Sequence, residues 1–137
     1  MDILSIPFNQ FLGLTLSDDP AYLMTLPAKG EYENHLQTVH AGALFALAEA
    51  SSGLYLLREF SEVKNTIPVV RNAEVKYKKP AVGAIFSQAS LEKKKADVLA
   101  TLENRRLVLI PVRVSLYDAQ AVMVMEAVFE WFVFREE

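Results

Sequence analysis

Ala41-Gly42-Ala43-Leu44-Phe45-Ala46-Leu47-Ala48-Glu49-Ala50-Ser51-Ser52-Gly53-Leu54-Tyr55-Leu56-Leu57-Arg58-Glu59-Phe60 is the stretch on which the fold turns. It is rich in Ala, Leu and Phe and free of Pro, and it predicts a helix from Ala41 to Phe60. Thr38 or His40 is placed to cap it. Arg58 falls in its last turn, where a cation suits the negative end of the helix dipole. Apolar residues occupy nearly every side of this helix. A helix that is apolar all round is buried, so it is expected at the centre of the molecule. The apolar run is interrupted by Glu49, Ser51 and Ser52 and is shorter than the roughly 20 residues a membrane span needs.

Outward from the helix, the pattern changes to strands. Before it, Pro7 to Leu12 reads as a short helical turn with Pro near its start. Leu14 to Leu16 and Ala21 to Leu26 read as a strand pair about a turn at Asp18-Asp19-Pro20, followed by a polar loop from Lys29 to Gln37. After it, Val69 to Lys78 alternates, with Val69, Ala73, Val75 and Tyr77 on one face and Asn72, Glu74, Lys76 and Lys78 on the other. Arg71 breaks that pattern. Pro80 and Gly83 mark a turn, and Ala84 to Leu91 is a further strand. Glu92 to Arg105 carries a narrow stripe, Val98, Leu99 and Leu102, and predicts a surface helix. Leu107 to Tyr117 places Val108, Ile110, Val112, Val114 and Leu116 on one face. Pro111 inside it predicts an edge strand or a bulge. Ala121 to Phe134 presents Met123, Met125, Ala127, Phe129, Trp131 and Val133 on one face, with Glu126 and Glu130 opposite. Two strands, one buried helix and four strands with an inserted surface helix make an α+β fold. An antiparallel sheet wrapped around the helix covers it most economically.

The chain of 137 residues is 52% hydrophobic and 23% charged, enough for one domain with a real core, taken here as residues 1–137. A net charge of −3 argues against a nucleic-acid partner but leaves room for a local basic patch. With no Cys, disulfides, thiolate metal sites and Cys nucleophiles drop out. Two His residues and a single nearby acid make no metal site, and no cofactor is expected. Met1 to Ser5 has no basic start and no apolar core, so no leader peptide and no membrane association are expected, and the location is read as cytoplasmic.

Glu49 is the anomaly. A carboxylate in a buried helix costs several kcal/mol unless paired, and burial raises its pKa toward that of a general base. The competing reading is an ordinary ion pair at a wet subunit interface. His40, Ala41 and Gly42 stand at the helix start, where free N–H groups and the positive end of the dipole suit an oxyanion or phosphate. The competing reading there is a plain helix terminus with a small packing residue. Ala41 and Glu49 are eight residues apart. By helical rise that is about 12 Å, too far for both to serve one carbonyl from a single chain. If both act, they come from two subunits, with two symmetric sites per dimer.

His40-Ala41-Gly42 followed by Leu47-Ala48-Glu49 resembles the His-Gly-Gly and Leu-Ala-Asp/Glu signature of hotdog-fold thioesterases, the superfamily of the phenylacetyl-CoA and 4-hydroxybenzoyl-CoA enzymes. The acid falls nine positions after the His, and Asn34 six before it. Tyr77-Lys78-Lys79-Pro80-Ala81-Val82-Gly83 resembles the same family's strand end. The resemblance implies a hotdog fold and hydrolysis of an acyl-CoA thioester by a homodimer or dimer of dimers. It makes Glu49 the nucleophile or water-activating base, the Ala41 N–H the carbonyl donor, Asn34 the orienting amide and His40 a positioning group. Lys78 and Lys79, beside the Pro-Ala-Val-Gly segment, become candidates for the phosphates of coenzyme A. Lys93, Lys94, Lys95, Arg105 and Arg106 form a second basic group, and charge runs are usually solvated faces.

The chain also departs from the family. Ala41 replaces the first Gly, Val70 stands where relatives carry Ser or Thr, and a helix is inserted after Leu91. These departures keep a non-catalytic acyl-CoA-binding protein as an alternative. His35, fourteen positions before Glu49, keeps a 3-hydroxyacyl dehydratase as another. The Met123, Met125, Phe129 and Trp131 stripe reads as core, although Met can line an adaptable acyl tunnel.

Overall fold

In the computed structural model, which describes residues 1–136, the helical run becomes α2 (Ala41–Glu59), preceded by a short α1 (Pro7–Phe11). The strands are β1 (Thr15–Leu16), β2 (Met24–Leu26), β3 (Thr66–Tyr77), β4 (Ile85–Leu91), β5 (Leu107–Tyr117) and β6 (Met123–Arg135). A third helix, α3 (Lys95–Arg105), joins β4 to β5. The six strands form one sheet in the order β1-β2-β4-β5-β6-β3, and every pair is antiparallel. Helix α2 packs against β2, β4, β5 and β6. Ala43, Leu44, Ala46, Leu47, Ala48 and Ala50 are buried there, as an apolar cylinder requires. The antiparallel sheet covering one central helix, expected from the sequence, is present.

The period-two reading of β5 holds residue for residue, and that of β6 holds from Met125 onward. Met123, expected on the same face, is only half-buried, because the β5–β6 register shifts between Leu116 and Tyr117 and Val124 is buried instead. Val108, Ile110, Val112, Val114 and Leu116 are buried, and so are Met125, Ala127, Phe129, Trp131 and Val133. Helix α3 buries Val98 and Leu102, the core of its predicted stripe. Its first residues, Glu92 to Lys94, are not helical.

Two further strand readings need correction. Val69 does not share a face with Ala73, Val75 and Tyr77. The register slips between Val70 and Asn72, so Arg71 is the extra residue of a β-bulge. Val70 and Pro68 sit opposite the buried Trp131 and Val133, while Val69 sits opposite Phe132. The bulge therefore turns Pro68 and Val70 toward the helix and Val69 away. Pro111 does not lie on an edge strand or in a bulge, because β5 runs between β4 and β6. The β4 ladder stops at Leu91↔Val112, and the Pro111 carbonyl accepts from the Glu92 N–H just past that end (3.1 Å). In an antiparallel strand N–H and C=O of one residue point the same way. The donor that Pro lacks therefore faces the place where β4 has given out.

Candidate active site

Helix α2 starts at His40, whose backbone is extended (φ −59°, ψ 139°). Its ring Nδ1 accepts a hydrogen bond from the Gly42 N–H at 2.8 Å, so of the two proposed caps it is His40 that serves. A neutral ring accepting at Nδ1 carries its proton on Nε2. The Gly42 N–H is thus already engaged and is not a free donor at the helix start. A Cβ at position 42 would lie 3.1 Å from Nδ1 and 3.4 Å from Cε1, so glycine is what lets the ring fold back. The Ala41 N–H has no recorded acceptor among the described residues. It points outward with the positive end of the dipole.

A shallow cleft of about 310 Å³ opens at that point. Asn34, Ala41, Tyr77, Lys78 and Lys79 all line it, so four of the sequence-predicted residues come together. Asn34 Oδ1 accepts from the N–H groups of Leu36 (2.9 Å) and Thr38 (3.1 Å), and its Nδ2 donates to Thr38 Oγ1 (2.9 Å). These bonds shape the 34–38 loop and leave one amide N–H to the cleft. The Tyr77 hydroxyl donates to the Ala41 carbonyl at 3.3 Å, and burial pushes its pKa up. Lys78 Nζ lies 3.9 Å from a Glu126 oxygen, which also takes Arg113 Nη1 at 3.1 Å; Lys79 is exposed.

Glu49 lies elsewhere. It faces a second cleft of about 400 Å³ with Ile3, Ile6, Phe8, Pro68, Val70 and Trp131 among its walls. Desolvation in these apolar surroundings raises its carboxyl above the ordinary 4.5. No ion pair to its carboxylate is recorded among the described residues. Beneath it, Trp131 Nε1 donates to Ser52 Oγ (3.0 Å), and Ser52 Oγ donates to the Glu49 carbonyl (2.7 Å). Trp131, read from the sequence as core, is buried in the core and also borders this cleft. Gly53 permits this, since a Cβ there would lie 3.2 Å from the Trp131 ring and 3.0 Å from Ile3 Cδ1. The N-terminal wall of Ile3, Ile6 and Phe8 was not anticipated. Its one sequence signal is Asn9, a buried polar residue whose Nδ2 donates to the Ile3 carbonyl (3.0 Å). His35 is an exposed loop residue and lines neither cleft.

A family model described as a domain of unknown function, DUF4442, matches residues 15–133. The chain belongs to that family. Comparison with curated protein sequences gives no match. Among solved structures, this DUF4442 chain resembles a Pseudomonas aeruginosa protein of unknown function labelled a probable thioesterase. That likeness has 27% identity and a TM-score of 0.83, over 98% of this chain and 91% of the other. It also resembles a Bacillus halodurans protein solved with CoA, at 18% identity and a TM-score of 0.75, over 95% and 77%. A third is the Escherichia coli PaaI protein of the phenylacetic acid degradation operon, at 13% identity and a TM-score of 0.71, over 97% and 86%. The DUF4442 chain thus has the hotdog fold of thioesterase-superfamily proteins, as its sequence resemblance implies. No helix among its described residues is long and apolar enough to cross a membrane.

Proposed function

We propose that this DUF4442 chain hydrolyses an acyl-CoA thioester at a site shared by two copies of itself. The observation that carries the reading is the division of the machinery. The free Ala41 N–H stands in one cleft with Asn34 and two lysines, and the desolvated Glu49 carboxylate stands in another. Each half lacks what the other has. Strand β3 supplies a way to join them. It is an edge strand of twelve residues, with Tyr77 at the helix-start cleft and Val70 at the Glu49 cleft. Antiparallel pairing of two β3 edges about a twofold axis near Ala73 and Glu74 sets Tyr77 of one copy beside Val70 of the partner subunit.

In that arrangement the Ala41 N–H polarises the thioester carbonyl. Glu49 takes a proton from a water that attacks the carbonyl carbon, or attacks that carbon itself to form an anhydride that water then cleaves to the free acid. The thiolate of coenzyme A leaves, and Lys78 and Lys79 hold its phosphates. Asn34 uses its remaining N–H to orient the water or the carboxylate, and His40 holds the helix start in place. Resemblance to solved structures labelled thioesterases, and to one solved with CoA, supports the ligand class.

A second reading is favoured by one observation: with the Gly42 N–H taken by His40, a single donor remains for an oxyanion. On that reading the protein binds acyl-CoA without cleaving it. Thiol release measured over short, long and aromatic acyl-CoAs, for wild type and Glu49→Ala side by side, decides between them. Release that vanishes in the variant is the expected result. No release from any substrate, with thermal stabilisation by acyl-CoA, would establish the binding protein instead.

A further inference from the structure

A third cavity, of about 320 Å³, lies at the far end of α2. Its inner walls are apolar, with Leu56 and Phe60 at the helix end, Val98 and Leu102 of α3, Ile110 of β5 and Val133 of β6, while Lys64, Asn65 and Thr66 make a polar rim. It adjoins the Glu49 cleft, because Met1 and Pro68 line both. The strand register gives the same order. Val70 and Trp131 form one rung at the Glu49 cleft, and Pro68 and Val133 form the next rung, at the cavity. Rungs on one face are about 7 Å apart, so the two spaces are consecutive along the same groove. Along the helix, Glu49 and Phe60 are eleven residues apart. That is about 16 Å of rise, the length of an extended acyl chain of about twelve carbons.

We propose that the cavity under α3 receives the distal end of the substrate's acyl chain, so that the substrates are medium-to-long, unbranched, aliphatic acyl-CoAs and α3 sets their length. This rests on the hydrolytic reading above for the place of the thioester, which sits at Glu49. The chain then runs past Trp131 and Pro68 in apolar surroundings and ends against Val98 and Leu102. A short acyl group leaves the cavity unfilled. Helix α3, which joins β4 to β5, walls that end of the cavity through Val98 and Leu102.

Two readouts test this. Trp131 is the only tryptophan in the sequence, so its fluorescence reports occupancy of the groove. Titrating the Glu49→Gln protein with butanoyl- to dodecanoyl-CoA is expected to show binding that tightens about fourfold per methylene while methylenes keep entering. In wild type, kcat/KM for dodecanoyl-CoA is expected to exceed that for butanoyl-CoA by at least about a hundredfold. Thr66 and Val63 line the cavity and are only half-buried, so Thr66→Phe and Val63→Phe fill it with little risk to the core. Each is expected to cut the dodecanoyl-to-butanoyl ratio about tenfold, at an unchanged melting temperature. A ratio unmoved in both folded variants, or binding indifferent to chain length, would overturn the proposal. Failure to hydrolyse any acyl-CoA would sink the catalytic reading alone. The fluorescence titration would still decide the cavity, graded tightening supporting it and a flat response ending it.

Discussion

At the residue scale the proposed chemistry rests on Glu49, whose carboxyl is held above its ordinary 4.5 by burial among apolar side chains. Hydrolysis needs the ionised form, so kcat/KM is expected to rise with pH along a limb displaced above 4.5. Glu49→Gln is expected to lose that limb and lower kcat/KM by about 10²–10⁴-fold, read as thiol release. The same burial sets a stability difference of definite sign. A raised folded-state pKa means that ionising Glu49 weakens the folded state, so wild type loses stability as pH rises through that pKa. Glu49→Gln should therefore melt higher than wild type at about pH 8, and the two curves should converge below about pH 4. Gly42 offers a second test. Gly42→Ala puts a methyl against the His40 ring at 3.1 Å and displaces the cap. Loss of such a cap costs about 1 kcal/mol, measurable by chemical denaturation, and turnover should fall because the Ala41 N–H is no longer held. Glu49 was legible in the sequence because a charge in an apolar helix is conspicuous. The core place of Trp131 was legible too, but not that it borders the Glu49 cleft, because a wall of a cleft and a wall of a core have the same period along a strand.

At the element scale, α2, β5 and most of β6 could be read directly, since α2 is apolar on nearly every side and the strands bury alternate residues, in β6 from Met125 onward. Strand β3 could not. Its period restarts at Arg71, and a sequence shows such a restart only as one misplaced residue. The short β1 and β2, and the N-terminal wall, were blurred for a related reason. Two or three paired residues do not make a pattern. Gly53 shows how closely elements are fitted. Gly53→Ala should gain up to about 1 kcal/mol in helix propensity. It also forces a methyl onto the Trp131 ring, which Ser52 holds at 3.0 Å, and overpacking of that kind costs about 1–3 kcal/mol. A net loss of stability is expected, together with a shifted Trp131 emission as the ring is pushed into the Glu49 cleft.

At the scale of the whole molecule the proposed sharing of the site makes a stoichiometric prediction. Ala41→Pro removes the donor N–H at the first helical position, where Pro is tolerated, and His40 already has the extended backbone that a following Pro demands. Ala41→Pro and Glu49→Gln should each be inactive alone. Refolded together in equal amounts, half the dimers are mixed, and each mixed dimer has one site with both groups intact. About a quarter of wild-type activity should return. Recovery of none would place both groups in one chain. The sheet's two borders are unequal in a way that bears on how far any such association can go. One border is β3, twelve residues long; the other is β1, only Thr15 and Leu16. Two copies joined through their long borders present only the stubs to the outside, and a two-residue stub gives a third copy almost nothing to zip onto. In the proposed dimer, growth by strand addition is therefore self-terminating: one adhesive margin serves without becoming a seed for fibres.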